Sequence, residues 1–190
     1  MQGLGNDFIL VEADRLPLDY DITSLARTIC NRNYGIGSDG LVLISLPEMP
    51  EADIKFTFYN PDGSEAEMCG NGIRCFARYV KEQRIIPKTE FNVETKAGLL
   101  RPHINPDYTV TVDMGPPRFT SPDFPFVKND DPQTVLNQTI EIDGKPLPVT
   151  LVSMGNPHCI ILENNAPEWF DIREHGPLIE THPAFPNKTN

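Results

Sequence analysis

The residue with the clearest potential for chemistry is Cys69, which stands directly before a predicted helix in the run Met68-Cys69-Gly70-Asn71-Gly72. The glycines beside it let another group approach the backbone closely. The first N–H groups of a helix have no partners within it, and they point back toward the thiol and anything bound beside it. We expect this placement to lower the pKa of the thiol, so that Cys69 serves as a base or a nucleophile. A buried structural cysteine is the competing interpretation, and local chemistry alone leaves both open.

Asparagines form a second pattern. Asn6, Asn60, Asn71 and Asn156 each lie in a turn flanked by glycine or proline. Asparagine favours turns for conformational reasons, so a single one of them indicates nothing more. Together, neutral amides that both donate and accept hydrogen bonds suit a substrate that carries ammonium and carboxylate groups.

His158 is a weaker candidate, because a lone histidine beside a predicted strand is usually a structural residue. A metal site is not indicated, since the chain has no C-x-x-C or H-x-x-x-H spacing and Cys69 and Cys75 fall on different faces of a helix. Gly35-Ile36-Gly37 lacks the rest of a dinucleotide fingerprint, so we expect no nucleotide site.

Charge and composition narrow the class of partner. The net charge of -11 disfavours nucleic acid and anionic membranes, which both need a basic surface. No apolar run is long enough to span a membrane, and the first residues do not form a secretory signal. The four cysteines are therefore expected to be reduced thiols of a cytoplasmic protein.

Apolar periodicity predicts two helices in the first part of the chain. Asp21 is a typical N-cap for a helix over 22–29. A second apolar stripe with helical spacing follows Cys69 and comprises Ile73, Phe76, Ala77 and Val80.

Short apolar or alternating runs predict strands over most of the rest. They are 7–12, 41–44, 54–58, 91–95, 99–104, 109–114, 140–142, 149–153 and 159–162. A further short helix is predicted within 167–174. Gly115-Pro116-Pro117 breaks the pattern, so we predict two domains, 1–117 and 118–190, the second of them incomplete.

Seven motifs resemble those of diaminopimelate epimerase, in order and at the spacing of that family. They are Gly3-Leu4-Gly5-Asn6-Asp7-Phe8, Gly35-Ile36-Gly37-Ser38-Asp39-Gly40, Tyr59-Asn60-Pro61-Asp62-Gly63-Ser64-Glu65, Met68-Cys69-Gly70-Asn71-Gly72-Ile73-Arg74-Cys75, Ser153-Met154-Gly155-Asn156-Pro157-His158-Cys159, Gly176-Pro177-Leu178-Ile179-Glu180 and His182-Pro183-Ala184-Phe185-Pro186-Asn187-Lys188-Thr189-Asn190. The resemblance implies an α+β fold of two similar domains, each a mostly antiparallel sheet wrapped around a central helix. It also implies an isomerase of lysine and peptidoglycan precursor synthesis that interconverts L,L- and meso-diaminopimelate without pyridoxal phosphate or another cofactor. Two thiols would exchange the α-proton from opposite faces.

The same resemblance assigns roles to individual residues. Cys69 would be the catalytic thiol of the first domain, and His158 would tune the pKa values of the thiol pair. Residues that would contact the substrate are Asn6, Asn60, Gly70, Asn71, Asn156 and Asn190. The expected partner is diaminopimelate, with a homodimer in the full-length protein. Gln2 replaces the usual His of the family and Gly40 replaces a Gln found in some members, so we expect individual contacts to differ at these two positions.

The second thiol of the family is expected in an Ala-Cys-Gly-Thr-Gly segment that follows Asn190. A non-catalytic remnant that keeps the fold or ligand binding is therefore an alternative, and a Cys–His acyl transferase using Cys69 and His158 is a third, weaker one, since no oriented third member is apparent.

One thiol cannot serve both faces of a planar carbanion, so we expect the 190-residue chain alone not to epimerise diaminopimelate. The missing C-terminal segment, supplied in cis or as a separate chain, should restore turnover if the pieces dock. Epimerisation and deuterium incorporation from solvent at the α-carbon measure this. Robust racemising exchange by the short chain would refute the two-thiol interpretation.

Overall fold

The computed structural model describes residues 1–119, 136–154, 157–162, 172–186 and 188–190. The chain divides into two compact units, Met1–Met114 and Gly115–Asn190. Each unit is described by itself below. The domain boundary after residue 117 stays a prediction.

A seven-stranded mixed sheet forms most of the first unit. Its strands are β1 (Gln2–Gly3), β2 (Asn6–Glu12), β3 (Gly40–Ser45), β4 (Ile54–Tyr59), β5 (Glu65–Ala66), β6 (Val93–Thr95) and β7 (Gly98–Leu100). The order is β1-β2-β3-β4-β6-β7, with β5 also paired to β4. The pairs β2/β3 and β4/β6 are parallel and the other pairs are antiparallel. The parallel pairing of β2 with β3 sets Phe8 opposite Gly40, so Asp7 and Asp39, the residues before them, lie side by side.

Two helices complete this unit, together with a 3-10 turn (Ala13–Arg15) and a hairpin of β8 (Pro102–Ile104) and β9 (Val110–Val112). Helix α1 (Ile22–Ile29) begins as predicted at Asp21, whose side chain accepts hydrogen bonds from the backbone N–H groups of Thr23 and Ser24. Helix α2 (Gly70–Glu82) begins at Cys69.

Helix α2 is the centre of the larger core. It packs against β1, β2, β4, β8 and β9. The predicted stripe is confirmed, because Ile73, Phe76, Ala77 and Val80 are all fully buried. Phe76 meets the ring of Phe56 edge to face, with 5.3 Å between the ring centroids. The sheet therefore holds α2 along its whole apolar side and fixes where its N-terminus lies.

The second unit contains an antiparallel sheet of three strands, β10 (Gln138–Ile142), β11 (Lys145–Ser153) and β12 (Pro157–Ile160), in that order. Helix α3 (Ile172–Glu180) packs on it and buries Ile179 with Ile140 and Leu151. Among the described residues no helix is both long and apolar enough to cross a membrane.

Several predicted bounds differ from the structure. The strand predicted over 99–104 is interrupted at Arg101, because β7 pairs with β6 whereas β8 pairs with β9. Strand β11 starts at Lys145, four residues before the predicted start. The short helix predicted within 167–174 falls partly outside the described residues, and α3 continues to Glu180 through Pro177. Both extensions were missed because residues that usually end regular elements lie inside them: Pro146 and Pro148 in β11, and Gly176 and Pro177 in α3.

Replacing Phe76 by alanine should lower the free energy of unfolding by about 3–5 kcal/mol, because it removes a fully buried ring and leaves a cavity. Tyr34 is 91% exposed, so Tyr34→Ala is the matched aromatic control and should change the free energy by less than about 0.5 kcal/mol. Urea denaturation followed by circular dichroism measures both. Equal effects of the two variants would show that α2 does not organise the core.

Candidate active site

The thiol of Cys69 lies at the N-terminus of α2. Cys69 is the N-cap, with extended backbone (φ −139°, ψ 106°), and its Sγ accepts a hydrogen bond from the backbone N–H of Gly72 at 3.3 Å. Its carbonyl accepts from the N–H of Ile73 at 2.8 Å, which starts the helical hydrogen bonds. The side chain is half-buried. The thiol thus occupies the position of a conventional capping oxygen.

Two glycines give the thiol this position. A Cβ on Gly72 would lie 3.3 Å from Sγ of Cys69, which is a tight contact, and 3.5 Å from the ring of Phe56, which is an ordinary one, so a side chain there would press on the thiol. A Cβ on Gly70 would meet no atom within 4 Å. The first turn of α2 therefore holds the thiol tightly on one side and leaves bare backbone beside open space on the other.

The predicted lowering of the Cys69 pKa is wrong in direction. Burial raises the pKa of this thiol, and this effect outweighs the hydrogen bonds from the N–H groups of Gly72 and Asn71 and the positive charge of Arg74, which lower it. Loss of hydration disfavours the charged thiolate more than the helix N-terminus favours it.

Cys69 still differs from the other cysteines, all of which are free and lie within the described residues. Cys30 and Cys75 are buried, and burial raises the pKa of each. Cys159 is half-buried like Cys69, but there burial alone acts and raises its pKa to about 11. Of the four, Cys69 alone combines partial exposure with groups that stabilise its thiolate.

The structure brings two of the predicted asparagines together beside this thiol. Nδ2 of Asn71 donates to Oδ1 of Asn6 at 2.7 Å. Asn71 follows Cys69 by two residues in the first turn of α2, whereas Asn6 opens β2. Two segments 65 residues apart in the chain therefore place their amides next to each other.

Sequence reasoning missed three charged residues that hold this pair. Asp39 accepts from Nδ2 of Asn6 at 3.1 Å, and Arg74 donates to Oδ1 of Asn71 and, at 3.1 Å, to the carbonyl of Gly70. Arg32 bridges Asp39 and Asp7 at 2.7 Å each. The Arg32 hydrogen bonds hold the pKa of Asp7 at about 2. The only signal in the sequence was that Asp7, Asp39 and Arg74 lie inside the recognised motifs, whereas Arg32 lies outside them.

Asn60 lies in the predicted turn after β4. Its Nδ2 donates to Oγ of Ser64 at 3.0 Å, and its carbonyl accepts from the N–H of Gly63, which has a φ of +81°. In the part of the chain that the structure describes, no hydrogen bond joins Asn60 to Asn6 or Asn71. Asn60 is therefore anchored separately from that pair.

In the second unit, the structure places Asn190 beside His158. His158 lies in β12 opposite Val152. The backbone N–H and the Nδ2 of Asn190 donate to the carbonyl of Pro157 at 3.0 and 2.9 Å, and the carbonyl of Asn190 accepts from the N–H of Cys159 at 2.8 Å. Asn190 is thus fixed along β12. Asn156 lies outside the described residues.

Across the described ranges, no group of three or more histidine, cysteine, aspartate or glutamate side chains is placed to hold a metal ion. The candidate site of the first unit therefore consists of the Cys69 thiol, the paired amides of Asn6 and Asn71, and the backbone N–H groups at the N-terminus of α2.

Known structures with this fold include racemases and epimerases. A solved hydroxyproline epimerase from Agrobacterium vitis, with trans-4-hydroxy-L-proline bound, superposes with a TM-score of 0.59 at 17% identity, covering 95% of this chain and 52% of that one. A phenazine biosynthesis protein of the PhzF family from Bacillus anthracis gives a TM-score of 0.55 at 23% identity, covering 85% of this chain and 51% of that one. At these identities the likeness shows the fold, and it confirms the predicted α+β, epimerase-like class.

Sequence comparison identifies the family. The family model described as diaminopimelate epimerase matches residues 1–120. The diaminopimelate epimerase of Heliobacterium modesticaldum is 47% identical over 197 residues, and that of Desulforudis audaxviator is 45% identical over 193 residues. This chain belongs to the diaminopimelate epimerase family. All of it is covered in both alignments, and it spans 68% of the length of each relative.

Cys69 should be the cysteine that iodoacetamide labels fastest. Because burial raises its pKa, only a small fraction is thiolate near neutral pH, and the rate should keep rising between pH ~7 and ~10. Brief labelling followed by mass mapping gives the rate at each site. Cys159 in the same sample is the internal control, since it is also half-buried and lacks the helix N–H groups.

Two results would contradict this. Faster labelling of Cys30, Cys75 or Cys159 in folded protein would show that Cys69 is not the most reactive cysteine. A rate that levels off below pH ~8 would mean that the helix N-terminus overcomes burial after all.

Proposed function

We propose that this chain carries the first proton-transfer site of a diaminopimelate epimerase, with Cys69 as the acid or base on one face of the substrate α-carbon. Family membership supports the reaction. The observation that carries the assignment is the half-buried thiol of Cys69 at the N-terminus of α2, beside the paired amides of Asn6 and Asn71.

The proposed reaction exchanges one proton for another at the same carbon. The Cys69 thiolate takes the α-proton, so an S–H bond forms, the Cα–H bond breaks, and the electron pair spreads into the carboxylate. A second thiol, which the resemblance places C-terminal to Asn190, then gives its proton to the opposite face of the planar carbon. In the reverse direction the roles exchange. No oxidant, reductant or cofactor is required by this balance.

The first turn of α2 can stabilise the charge that develops. The backbone N–H groups of Gly70 and Asn71 lie at the positive end of the helix dipole, and the open space beside Gly70 admits a ligand carboxylate. Donors fixed before the reaction are worth most where they face charge that appears only in the transition state. We infer that the substrate α-carboxylate docks against this turn.

The raised pKa of Cys69 fits the role of an acid that becomes a base. A thiol that is mostly protonated near neutral pH can deliver a proton, and the same group serves as base once it has lost that proton. The two thiols of the reaction must hold opposite protonation states, so one thiol of raised pKa and one thiolate form a workable pair.

The remaining assignments are also proposals. Asn60, Asn156 and Asn190 would contact other polar groups of the substrate, and His158 would tune the thiol pair. The fixing of Asn190 along β12, next to His158, supports a common role for these two. We further propose a homodimer for the full-length enzyme and a cytoplasmic location, the latter supported by four free cysteines.

In a full-length version, Cys69→Ser should lower kcat by about 10²–10⁴-fold, because a hydroxyl is a far weaker base than a thiolate. Asn71→Ala should act mainly on KM, raising it about tenfold through lost hydrogen bonds. Chiral chromatography of L,L- and meso-diaminopimelate follows both variants.

Cys75→Ala is the matched control, since it removes a buried thiol from the same helix and should leave kcat nearly unchanged. Near-wild-type turnover in Cys69→Ser would falsify the acid/base assignment. A wild-type enzyme that binds diaminopimelate without exchanging its α-proton would favour the non-catalytic alternative.

A further inference from the structure

We propose that Asp39 and Arg74 are positioning residues, which together fix which end of the Asn6 and Asn71 amides faces the substrate. These four side chains form one hydrogen-bonded chain, Asp39–Asn6–Asn71–Arg74. Its role in substrate recognition rests on the function proposed above, whereas the orientation of the amides does not.

The Asp39 end of this chain can only accept. Oδ2 of Asp39 accepts from Nδ2 of Asn6 at 3.1 Å and from the backbone N–H of Asp7 at 3.0 Å. Oδ1 is held at 2.7 Å by Arg32, which also binds Asp7. An ionised carboxylate has no proton to donate, so it requires the nitrogen of Asn6 to face it.

The Arg74 end can only donate. One guanidinium nitrogen donates to Oδ1 of Asn71, and the other donates at 3.1 Å to the carbonyl of Gly70, one turn back along α2. A guanidinium has no acceptor atom, so it requires the oxygen of Asn71 to face it. The contact with Gly70 keeps the planar group from turning away.

The two asparagines between these ends have one consistent arrangement. Nδ2 of Asn71 then faces Oδ1 of Asn6, as observed at 2.7 Å. Turning either amide over would set oxygen against the Asp39 carboxylate or an amino group against the Arg74 guanidinium, and each such contact loses a charge-assisted hydrogen bond. Either charged residue alone is sufficient to set the direction of the chain.

This direction decides what the site offers to a ligand. Each amide uses one N–H in the chain and keeps its second N–H for an external acceptor. Each amide oxygen already accepts one hydrogen bond from a neighbour in this hydrogen-bonded chain, whereas the second N–H of each amide is not used there. We expect these N–H groups of Asn6 and Asn71 to face a carboxylate of the substrate rather than its ammonium group.

Conservative substitutions of Asp39 and Arg74, the two ends of the hydrogen-bonded chain, test the inference directly in the 190-residue protein. Asp39→Asn keeps the size of the side chain and adds a donor, whereas Arg74→Gln shortens the side chain and adds an acceptor, so that each changed end can both donate and accept. In ¹⁵N NMR spectra, each single variant should keep one set of Asn6 and Asn71 side-chain amide signals, because the opposite end still sets the direction. The double variant should show averaged or doubled signals. A single unshifted set in the double variant would overturn the proposal.

Substrate binding supplies the second measurement. In a full-length enzyme the double variant should raise KM by about tenfold beyond the product of the two single effects. The control pair is Asp53→Asn with Arg78→Gln, since Asp53 binds Lys88 and Asn92 whereas Arg78 binds Glu82. This pair should be additive in KM.

The two proposals fail in different ways. Additive KM effects in an active enzyme would overturn the positioning role of Asp39 and Arg74. A wild-type enzyme without epimerase activity would overturn the proposed function, while the amide signals would still decide the orientation of Asn6 and Asn71.

Discussion

The burial of one side of α2 is the constraint on which the rest of the first unit depends. Ile73, Phe76, Ala77 and Val80 lose all contact with solvent against the sheet and the β8/β9 hairpin. An isolated helix of 13 residues is marginal in water, so this packing is what keeps α2 formed. Because the helix is held along its length, its first turn is rigid as well. Cys69, Gly70 and Asn71 therefore sit on an element with little freedom to move.

The site shows two opposed effects on one thiol. The same packing that fixes Cys69 also removes water from it, and this raises its pKa despite the helix N-terminus. Around the neighbouring amides the balance is different, because Asp7, Arg32 and Asp39 are partly exposed and paired with one another. The site thus joins a poorly hydrated thiol to an ion-paired polar rim.

Local patterns in the sequence were sufficient for the features that depend on near neighbours. The Asp21 cap, the stripe of α2 and the position of Cys69 as N-cap all follow from spacings of a few residues. The contacts of Asp39 and Arg32 were missed because they depend on the parallel pairing of β2 with β3, which no short window reveals. The direction of the Cys69 pKa was wrong because burial depends on the tertiary fold. The start of β11 was not predicted because it contains Pro146 and Pro148. Among the described strands, this part of β11 pairs with β10 and not with β12.

The hydrogen-bonded chain through Asn6 also bears on the order of folding. Asn6 meets Asp39 across 33 residues and Asn71 across 65. Closing loops of this size costs entropy before any contact is gained, so such contacts form after local helices and hairpins. During synthesis, Asn6 and Asp39 can meet only after β3 has left the ribosome, and Asn71 joins them only after α2 has followed. The polar rim therefore forms after the local hydrogen bonds of the helices and hairpins, when β2, β3 and α2 come together.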